Sequence, residues 1–151
     1  MPPRVETQPH VERDILLRVS SGNLTIVDTS NVVSTTHYEK AIVVLHVEAL
    51  VMADADDEVD FYIQCLIDSI WTDIANVHFD FGDEPIATAK RLIKIGPMAT
   101  GVATFTPTDT TLADDTVVAL PLGEAIRIKT KLTGATAPTY AYSASITLIG
   151  G

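Results

Sequence analysis

The sequence has a single cysteine, Cys65, and aromatic residues make up only 6% of its 151 residues. One cysteine cannot form an intrachain disulfide, so the chain is not a small secreted domain held together by cystines. Its longest apolar run, residues 41–45, is far shorter than the roughly 20 residues that span a bilayer as a helix. The polar, Pro-rich N-terminal stretch lacks the apolar core of a signal peptide, which predicts assembly in a cytosol.

Basic residues are also scarce. The chain has 10 lysines and arginines against 20 aspartates and glutamates, a net charge of −10. A nucleic-acid-binding domain neutralises phosphates with a cationic surface, and an anionic membrane attracts the same kind of surface. The composition therefore excludes direct nucleic-acid binding and disfavours a membrane as partner. It suits high solubility, or docking on a basic surface.

The apolar residues that are present, mainly Val, Ile, Leu and Ala, alternate with polar ones along short segments. Alternation with a period of two predicts β-strands with one face in a core. The clearest segments are residues 41–52, 59–67, 125–132 and 140–149. Their predicted core faces begin at Ala41, Val59, Ile126 and Tyr140 and take every second residue from there. The first two are predicted to form a hairpin across the acidic turn 54–58, and the last two a closing hairpin.

Shorter segments of the same kind are residues 15–19, 24–27, 77–81, 86–95, 102–106 and 117–120. Roughly nine strands at near-regular spacing predict an all-β fold, an antiparallel two-sheet β-sandwich of jelly-roll or immunoglobulin-like kind. We expect a single such domain over residues 14–151. Three prolines in residues 1–13 predict an extended N-terminal arm that orders against a neighbouring subunit; the alternative is a disordered terminus.

Motifs for catalysis and cofactor binding are missing from the sequence. It contains no Gly-x-Ser-x-Gly nucleophile elbow, and the glycine pair of residues 96–101 is not followed by the lysine of a phosphate loop. No two of the four histidines have metal-ligand spacing. Residues 54–60 do not match an EF-hand loop, which leaves a looser Ca²⁺ site or a solvated turn as alternatives. We therefore expect a protein that is not an enzyme, with no cofactor and no assigned metal ligand.

One strand carries a basic stripe, made of Arg127, Lys129 and Lys131. On an exposed sheet face the stripe would meet an acidic partner surface; otherwise its side chains would be solvated. The partner-binding residues predicted from the sequence are these three together with Arg4, Val5 and His10 of the N-terminal segment. A second polar pair, His46 and Glu48, shares one strand face and would be either part of an interface or half-buried.

Two stretches combine strands and turns in a recurring order. In the first, strands at 43–51 and 59–67 flank the acidic turn and lead into the Trp-Thr-Asp stretch of residues 69–75. In the second, the strand 125–132 is followed by Thr-Gly-x-x-x-Pro-Thr at 133–139 and a final strand. This order resembles small structural proteins of tailed bacteriophages, and most of all their jelly-roll capsid decoration, or cement, proteins.

The resemblance covers residues 41–149 and implies a β-sandwich that binds the outside of an icosahedral shell. The implied partners are the major capsid protein and further copies of the chain, most often as a homotrimer. The implied location is the capsid exterior of a virion assembled in the host cytoplasm. Three other functions remain open: a neck, tail or head-fibre module, a hydrolase on a sandwich scaffold, and a carbohydrate-binding sandwich that would use Trp71, Tyr62, Tyr140 and Tyr142.

Overall fold

The computed structural model describes residues 10–83, 88–96, 106–118, 120–134 and 138–150, with Asp83 described for its backbone alone. Their strands are β1 (Val11–Arg18), β2 (Val33–Ser34), β3 (Lys40–Val51), β4 (Glu58–Ile67), β5 (Ile70–Asp80), β6 (Ala89–Ile95), β7 (Ala125–Thr133) and β8 (Thr139–Ile149). A short 3-10 turn, Phe81–Asp83, follows β5. In these ranges no helix is long and apolar enough to cross a bilayer. The predicted sites Arg4 and Val5, and nearly all of the predicted strand 102–106, lie outside the described residues.

The strands form two antiparallel four-stranded sheets in jelly-roll order. Sheet A is β1-β8-β3-β6 and sheet B is β2-β7-β4-β5. The pairs β1–β8, β2–β7, β3–β6 and β4–β5 show that the chain pairs like one long hairpin wrapped around the core. The predicted all-β, antiparallel two-sheet sandwich is confirmed.

Both hairpins predicted from the sequence are wrong, because each pair of strands is divided between the sheets. β3 pairs with β6 and β8, whereas β4 pairs with β5 and β7. Likewise β7 belongs to sheet B and β8 to sheet A. Period-two alternation shows which side of a strand is apolar. It does not show whether the next strand continues the same sheet or crosses the core to the other one.

A β-bulge in β3 changes its inward face. As predicted, the first half of the strand buries Ala41, Val43, Leu45 and Val47. The pairing with β8 then shifts between Val47 and Ala49. Beyond the shift Leu50 is buried and Val51 is 60% exposed, the reverse of the prediction. The extra residue of a bulge moves the following side chains to the opposite faces.

Two other strand boundaries differ from the prediction. β1 begins at Val11, so residues 11–13 of the predicted arm belong to sheet A. The predicted strand 24–27 has only an isolated bridge at Leu24. In this segment the carbonyl of Ile26 accepts its hydrogen bond from a side chain, the hydroxyl of Tyr140, at 2.7 Å, and not from the backbone of a neighbouring strand. Of the predicted strand 117–120, the described residue Val117 forms an isolated bridge with Ala75.

The core lies between the sheets and is centred on aromatic rings. Phe61 of β4 meets the rings of Phe79, Tyr140 and Tyr142 at centroid distances of 5.2 to 5.9 Å, in edge-to-face orientations. Such pairs add about 0.5–1.5 kcal/mol each to the burial of their area. Cys65 is buried in the same core, and burial raises the pKa of its thiol to about 12. A thiolate nucleophile is therefore disfavoured at this position.

Candidate functional site

The outer face of sheet B is covered by residues 106–118, called here the covering segment. The carboxylate of Asp73, a residue of β5 that is 2% exposed, holds this segment in place. It accepts hydrogen bonds of 3.0 to 3.3 Å from the backbone N–H groups of Thr110, Thr111 and Leu112 and from the hydroxyl of Thr108. Hydrogen bonds to an ionised group are about twice as strong as neutral ones. One buried side chain thus fixes a segment that has no regular strand pairing.

Arg127 of the predicted basic stripe lies against Trp71 rather than facing solvent. Its guanidinium carbon is 4.1 Å from the centroid of the Trp71 ring, and its Nε donates to Gln64 Oε1 at 3.0 Å. The amide of Gln64 in turn donates to Asp73 and to Asp109, at 2.9 and 2.8 Å. Burial lowers the pKa of Arg127, and the charge of Asp109 partly offsets that effect.

The two lysines of the stripe also have partners within the chain. Lys129 Nζ forms an ion pair with Asp109 at 3.2 Å, and Lys131 Nζ donates to the carbonyl of Thr110 at 3.2 Å. Hydrogen bonds from Gln64 and Lys129 lower the pKa of the Asp109 carboxyl. The stripe therefore lies against the covering segment, and each of its three residues has a partner inside the molecule.

A histidine and four carboxylates meet at one end of the same face. Strand pairing places Asp60 opposite His78 and Glu58 opposite Asp80. His78 Nδ1 lies 2.7 Å from Asp60 Oδ1 and 3.3 Å from Asp114 Oδ1, and its Nε2 lies 4.0 Å from Asp80 Oδ2. We call these five residues the His78 cluster.

Negative charge dominates the His78 cluster. Burial of the ring lowers the pKa of His78, but the hydrogen bond with Asp60 and the charges of Asp114 and Glu58 outweigh it, so the pKa lies above its usual value. Burial raises the pKa of the nearby Tyr62, and the same carboxylates raise it further. Sequence reasoning missed the cluster. The available signal was the pair of two-residue spacings, Glu58 to Asp60 and His78 to Asp80, each of which puts two ligand-type residues on one strand face.

Sheet A, in contrast, presents its outer face to solvent. Strand register aligns Leu92 with Val44, Val44 with Ser145, and Ser145 with Leu16. These four residues, the sheet A row, cross all four strands, and Leu92 and Leu16 at its ends are 71% and 59% exposed. Beside the row runs a shallow groove of about 390 Å³ whose lining includes His46, Glu48, Arg18 and Lys90. The polar pair His46 and Glu48 is half-buried there.

Charge is divided unequally between the strands of sheet A and the rest of the molecule. The strands of sheet A carry six basic residues, which are Arg13, Arg18, Lys40, Lys90, Arg91 and Lys94. They carry three acidic residues, Glu12, Asp14 and Glu48, which gives a net charge of +3 in a chain of −10. Lys90 and Lys94 stand on either side of Leu92 along β6 and are exposed. The negative charge therefore lies outside these strands, with sheet B and the loops.

The four predicted partner-binding residues that the structure describes, which are His10, Arg127, Lys129 and Lys131, are not brought together. The basic stripe lies on sheet B, whereas His10 precedes β1 at the edge of sheet A. The His10 ring lies 5.6 Å from the Tyr38 ring, and the His10 carbonyl accepts a 2.6 Å hydrogen bond from the N–H of Gly150. His10 thus contacts the loop between β2 and β3 and the residue that follows β8.

The strand order and the two unlike outer faces define a jelly-roll β-sandwich domain, with one face closed by its own chain and one open. No protein-family model and no curated protein matches the sequence.

Proposed function

We propose that this chain is a structural virion protein that binds the outer surface of a phage capsid and stabilises the shell, as decoration proteins do. The jelly roll is a common fold of viral capsid proteins, although it also occurs in lectins and cupins. The observation that carries the proposal is the sheet A row, in which three apolar residues and one serine cross a complete four-stranded sheet on its outer face. The resemblance of residues 41–149 to cement proteins points to the same function.

The sheet A row has the properties of a docking surface. Antiparallel sheets with one solvated face usually place polar side chains on that face. Here Leu92, Val44 and Leu16 stand on the outer side of three of the four strands, in register across Ser145. Exposed apolar patches with a polar rim mark interaction sites. We therefore assign the shell-binding surface to the outer face of sheet A.

The flanking charges specify the chemistry of the partner. Lys90 and Lys94 next to Leu92 favour an acidic shell surface with an apolar centre, because complementary charges orient two proteins as they approach. The overall charge of −10 alone would favour a basic partner, but the local charge of the docking face decides the contact. The covered, acidic side of the molecule would then face outward, away from the shell.

The homotrimer implied by the resemblance belongs to the same proposal. In the sequence, the face of residues 41–52 that holds Ile42, Val44 and Leu50 mixes apolar and polar side chains, and its need for cover favours an oligomer. In the structure Ile42 and Val44 are half-buried on the outer face of sheet A, whereas Leu50 lies in the core. Sedimentation-velocity mass at micromolar concentration tests the trimer, and a 16 kDa species both free and after release from shells would contradict it.

In the carbohydrate-binding alternative, the four candidate aromatic side chains would need an exposed ring face to stack on a sugar, and none of the four offers one. Tyr140 and Tyr142 are fully buried and Tyr62 is 3% exposed. Trp71 lies beneath the guanidinium of Arg127. The neck, tail or head-fibre alternative uses the same fold and the same open face, so binding experiments must separate it from capsid decoration.

The proposal is tested by co-sedimenting the protein with undecorated shells and measuring shell survival on heating. We expect saturable binding in a simple ratio to the shell subunit, and shells that survive higher temperatures. Leu92→Glu and the double variant Lys90→Glu/Lys94→Glu should weaken binding at least tenfold. Ile70→Glu, a matched control at a half-exposed apolar residue of β5, should bind normally.

Two outcomes would contradict parts of this proposal. Absence of binding to shells, together with binding to isolated necks, tails or fibres, would replace capsid decoration by the alternative. Normal binding of both sheet A variants would place the docking surface elsewhere on the molecule.

A further inference from the structure

We propose that the His78 cluster binds one divalent transition-metal ion of the Zn²⁺ type. Its ligands would be Nδ1 of His78 in β5 and carboxylates of β4 and of the covering segment. This inference does not rest on the proposed shell binding, since it concerns the opposite face of the sandwich and isolated chains.

The spacing of the ligand atoms suits a small four-coordinate ion. Zn²⁺ binds imidazole nitrogen and carboxylate oxygen at about 2.0–2.2 Å, so two ligand atoms of a tetrahedral site lie about 3.3–3.6 Å apart. His78 Nδ1 and Asp114 Oδ1 are 3.3 Å apart. Asp60 Oδ1, at 2.7 Å from the same nitrogen, would move outward by less than about 1 Å. One ligand atom each from Glu58, Asp60 and His78 already lie within 4.8 Å of one another.

The charge of the His78 cluster also calls for a cation. Asp60 and Asp114 both lie at Nδ1 of one imidazole, and an oxygen of Glu58 lies within 4.8 Å of Asp60 and His78, so the negative charges at this nitrogen repel each other. Strand register places Lys131 opposite Asp60, but the Nζ of Lys131 donates to the carbonyl of Thr110. A bound divalent ion would be the largest positive charge in the site.

A second, independent observation points to a ligand beside the cluster. Asn76 precedes His78 by two residues, on the same face of β5, and is 2% exposed under the covering segment. Its Nδ2 donates to the carbonyl of Leu112 at 3.0 Å, while its Oδ1 is buried and accepts no hydrogen bond from the part of the chain that the structure describes. Residues two apart on a strand are about 7 Å apart, so a water on an ion at His78 is within reach of this oxygen. Buried oxygens of this kind normally have a partner.

The ligand types distinguish this site from the acidic turn. Imidazole favours zinc-like ions, whereas Ca²⁺ takes oxygen ligands alone. Asp54, Asp56 and Asp57 offer only oxygens, and two of these three residues are exposed. An ion at His78 would link β4 and β5 to the covering segment through Asp114. It would thereby strengthen the closed face of sheet B.

The test is calorimetric titration of chelator-treated protein with ZnCl₂ and, separately, CaCl₂. We expect one Zn²⁺ per chain with a micromolar or tighter Kd, and Ca²⁺ binding at least tenfold weaker. His78→Ala should abolish Zn²⁺ binding. Asp114→Asn should weaken it at least tenfold, and this variant keeps the fold because Asp114 is 63% exposed on a loop. Co²⁺ in place of Zn²⁺ should give the visible absorption of a four-coordinate site.

Two controls make the result specific to this cluster. His37→Ala removes an exposed histidine, and Asp54→Asn/Asp56→Asn removes the two exposed aspartate carboxylates of the acidic turn. Neither variant should change Zn²⁺ binding. No Zn²⁺ binding below 100 micromolar in the wild type, or equal binding by the wild type and Asp114→Asn, would overturn the proposal. Zn²⁺ binding that disappears with His37→Ala, or with the acidic-turn variant, would overturn it as well.

Discussion

The guanidinium of Arg127 stacks 4.1 Å from the ring of Trp71 and joins two features that are far apart in the sequence. The only tryptophan and the first residue of the basic stripe lie on β5 and β7, with β4 between them. Gln64 of β4 accepts a hydrogen bond from Arg127 and so completes the contact across three strands. A residue that suggested partner binding from its charge is thus part of the domain's own packing.

This contact predicts the effect of removing Arg127. A partly desolvated cation–π contact contributes about 1–2 kcal/mol, and Gln64 would lose a charge-assisted hydrogen bond. Arg127→Ala should lower the free energy of unfolding by about 2 kcal/mol. Urea denaturation followed by tryptophan fluorescence measures this change. Arg13→Ala, at an exposed position of β1, is the control and should shift the unfolding free energy by less than about 0.5 kcal/mol.

Asp73→Ala should release the covering segment. Without the carboxylate, three backbone N–H groups and the Thr108 hydroxyl lose their acceptor, at a cost of about 3–5 kcal/mol. Limited proteolysis should then cleave within residues 106–118 well before the rest of the domain. Asp56→Asn, at an exposed position of the acidic turn, should leave the cleavage pattern unchanged. Equal protection of the segment in both variants would contradict the role assigned to Asp73.

Asp109 should make stability depend on pH in the acidic range. Its pKa is lowered in the folded chain by hydrogen bonds from Gln64 and Lys129. The folded state therefore binds a proton less readily than the unfolded state. The stabilisation is present above the unfolded pKa of about 3.9 and is lost as the pH falls through the folded pKa.

In Asp109→Asn, urea midpoints between about pH 5 and pH 2.5 should change less steeply with pH than in the wild type. The difference should stay below about 1 kcal/mol because the side chain is 59% exposed. If the urea midpoints of the wild type and of Asp109→Asn changed equally with pH, the role assigned to Asp109 would be contradicted.

Gly134 should not tolerate a side chain. Its φ is +125°, and an added Cβ would overlap Oδ1 of the buried Asp57. Gly134→Ala should therefore destabilise the domain by at least about 2 kcal/mol, from backbone strain and from the displaced carboxylate. Gly22→Ala is the matched comparison, because Gly22 has φ +63° with open space around it. It should cost only about 1 kcal/mol, and thermal unfolding of both variants measures the difference.

Local pattern was enough to predict much of this fold, and its failures have physical causes. Alternation correctly predicted Phe61, Cys65 and Tyr142 in the core. In a strand with one buried face, every second residue is apolar, so the buried face can be identified from the strand's own sequence. Whether β3 pairs with β4 depends on contacts with distant strands, so the sequence could not show that they lie in different sheets. The bulge after Val47 could not be predicted for the same reason, because it is a shift in the pairing of β3 with the distant strand β8.

The candidate sites were less accessible to sequence reasoning than the fold. His78 and Asp114 are brought together only when the covering segment lies across sheet B, and residues 106–118 carry no periodic signal. The sheet A row depends on the register of four strands from distant parts of the chain. Single-strand patterns identified Arg127, Lys129 and Lys131 as a charged stripe, but not the segment that covers them.

The position of β8 has a consequence for how the domain forms. β8 lies inside sheet A, between β1 and β3, and pairs Val11 with Ile149 across almost the whole described chain. Until the last strand emerges from the ribosome, β1 has no partner in its sheet and β3 keeps one open edge. Sheet A is therefore completed only after synthesis has passed residue 149, and folding should be slow because its pairings are so distant in sequence. Nascent chains held before β8 would present open strand edges and depend on protection from aggregation.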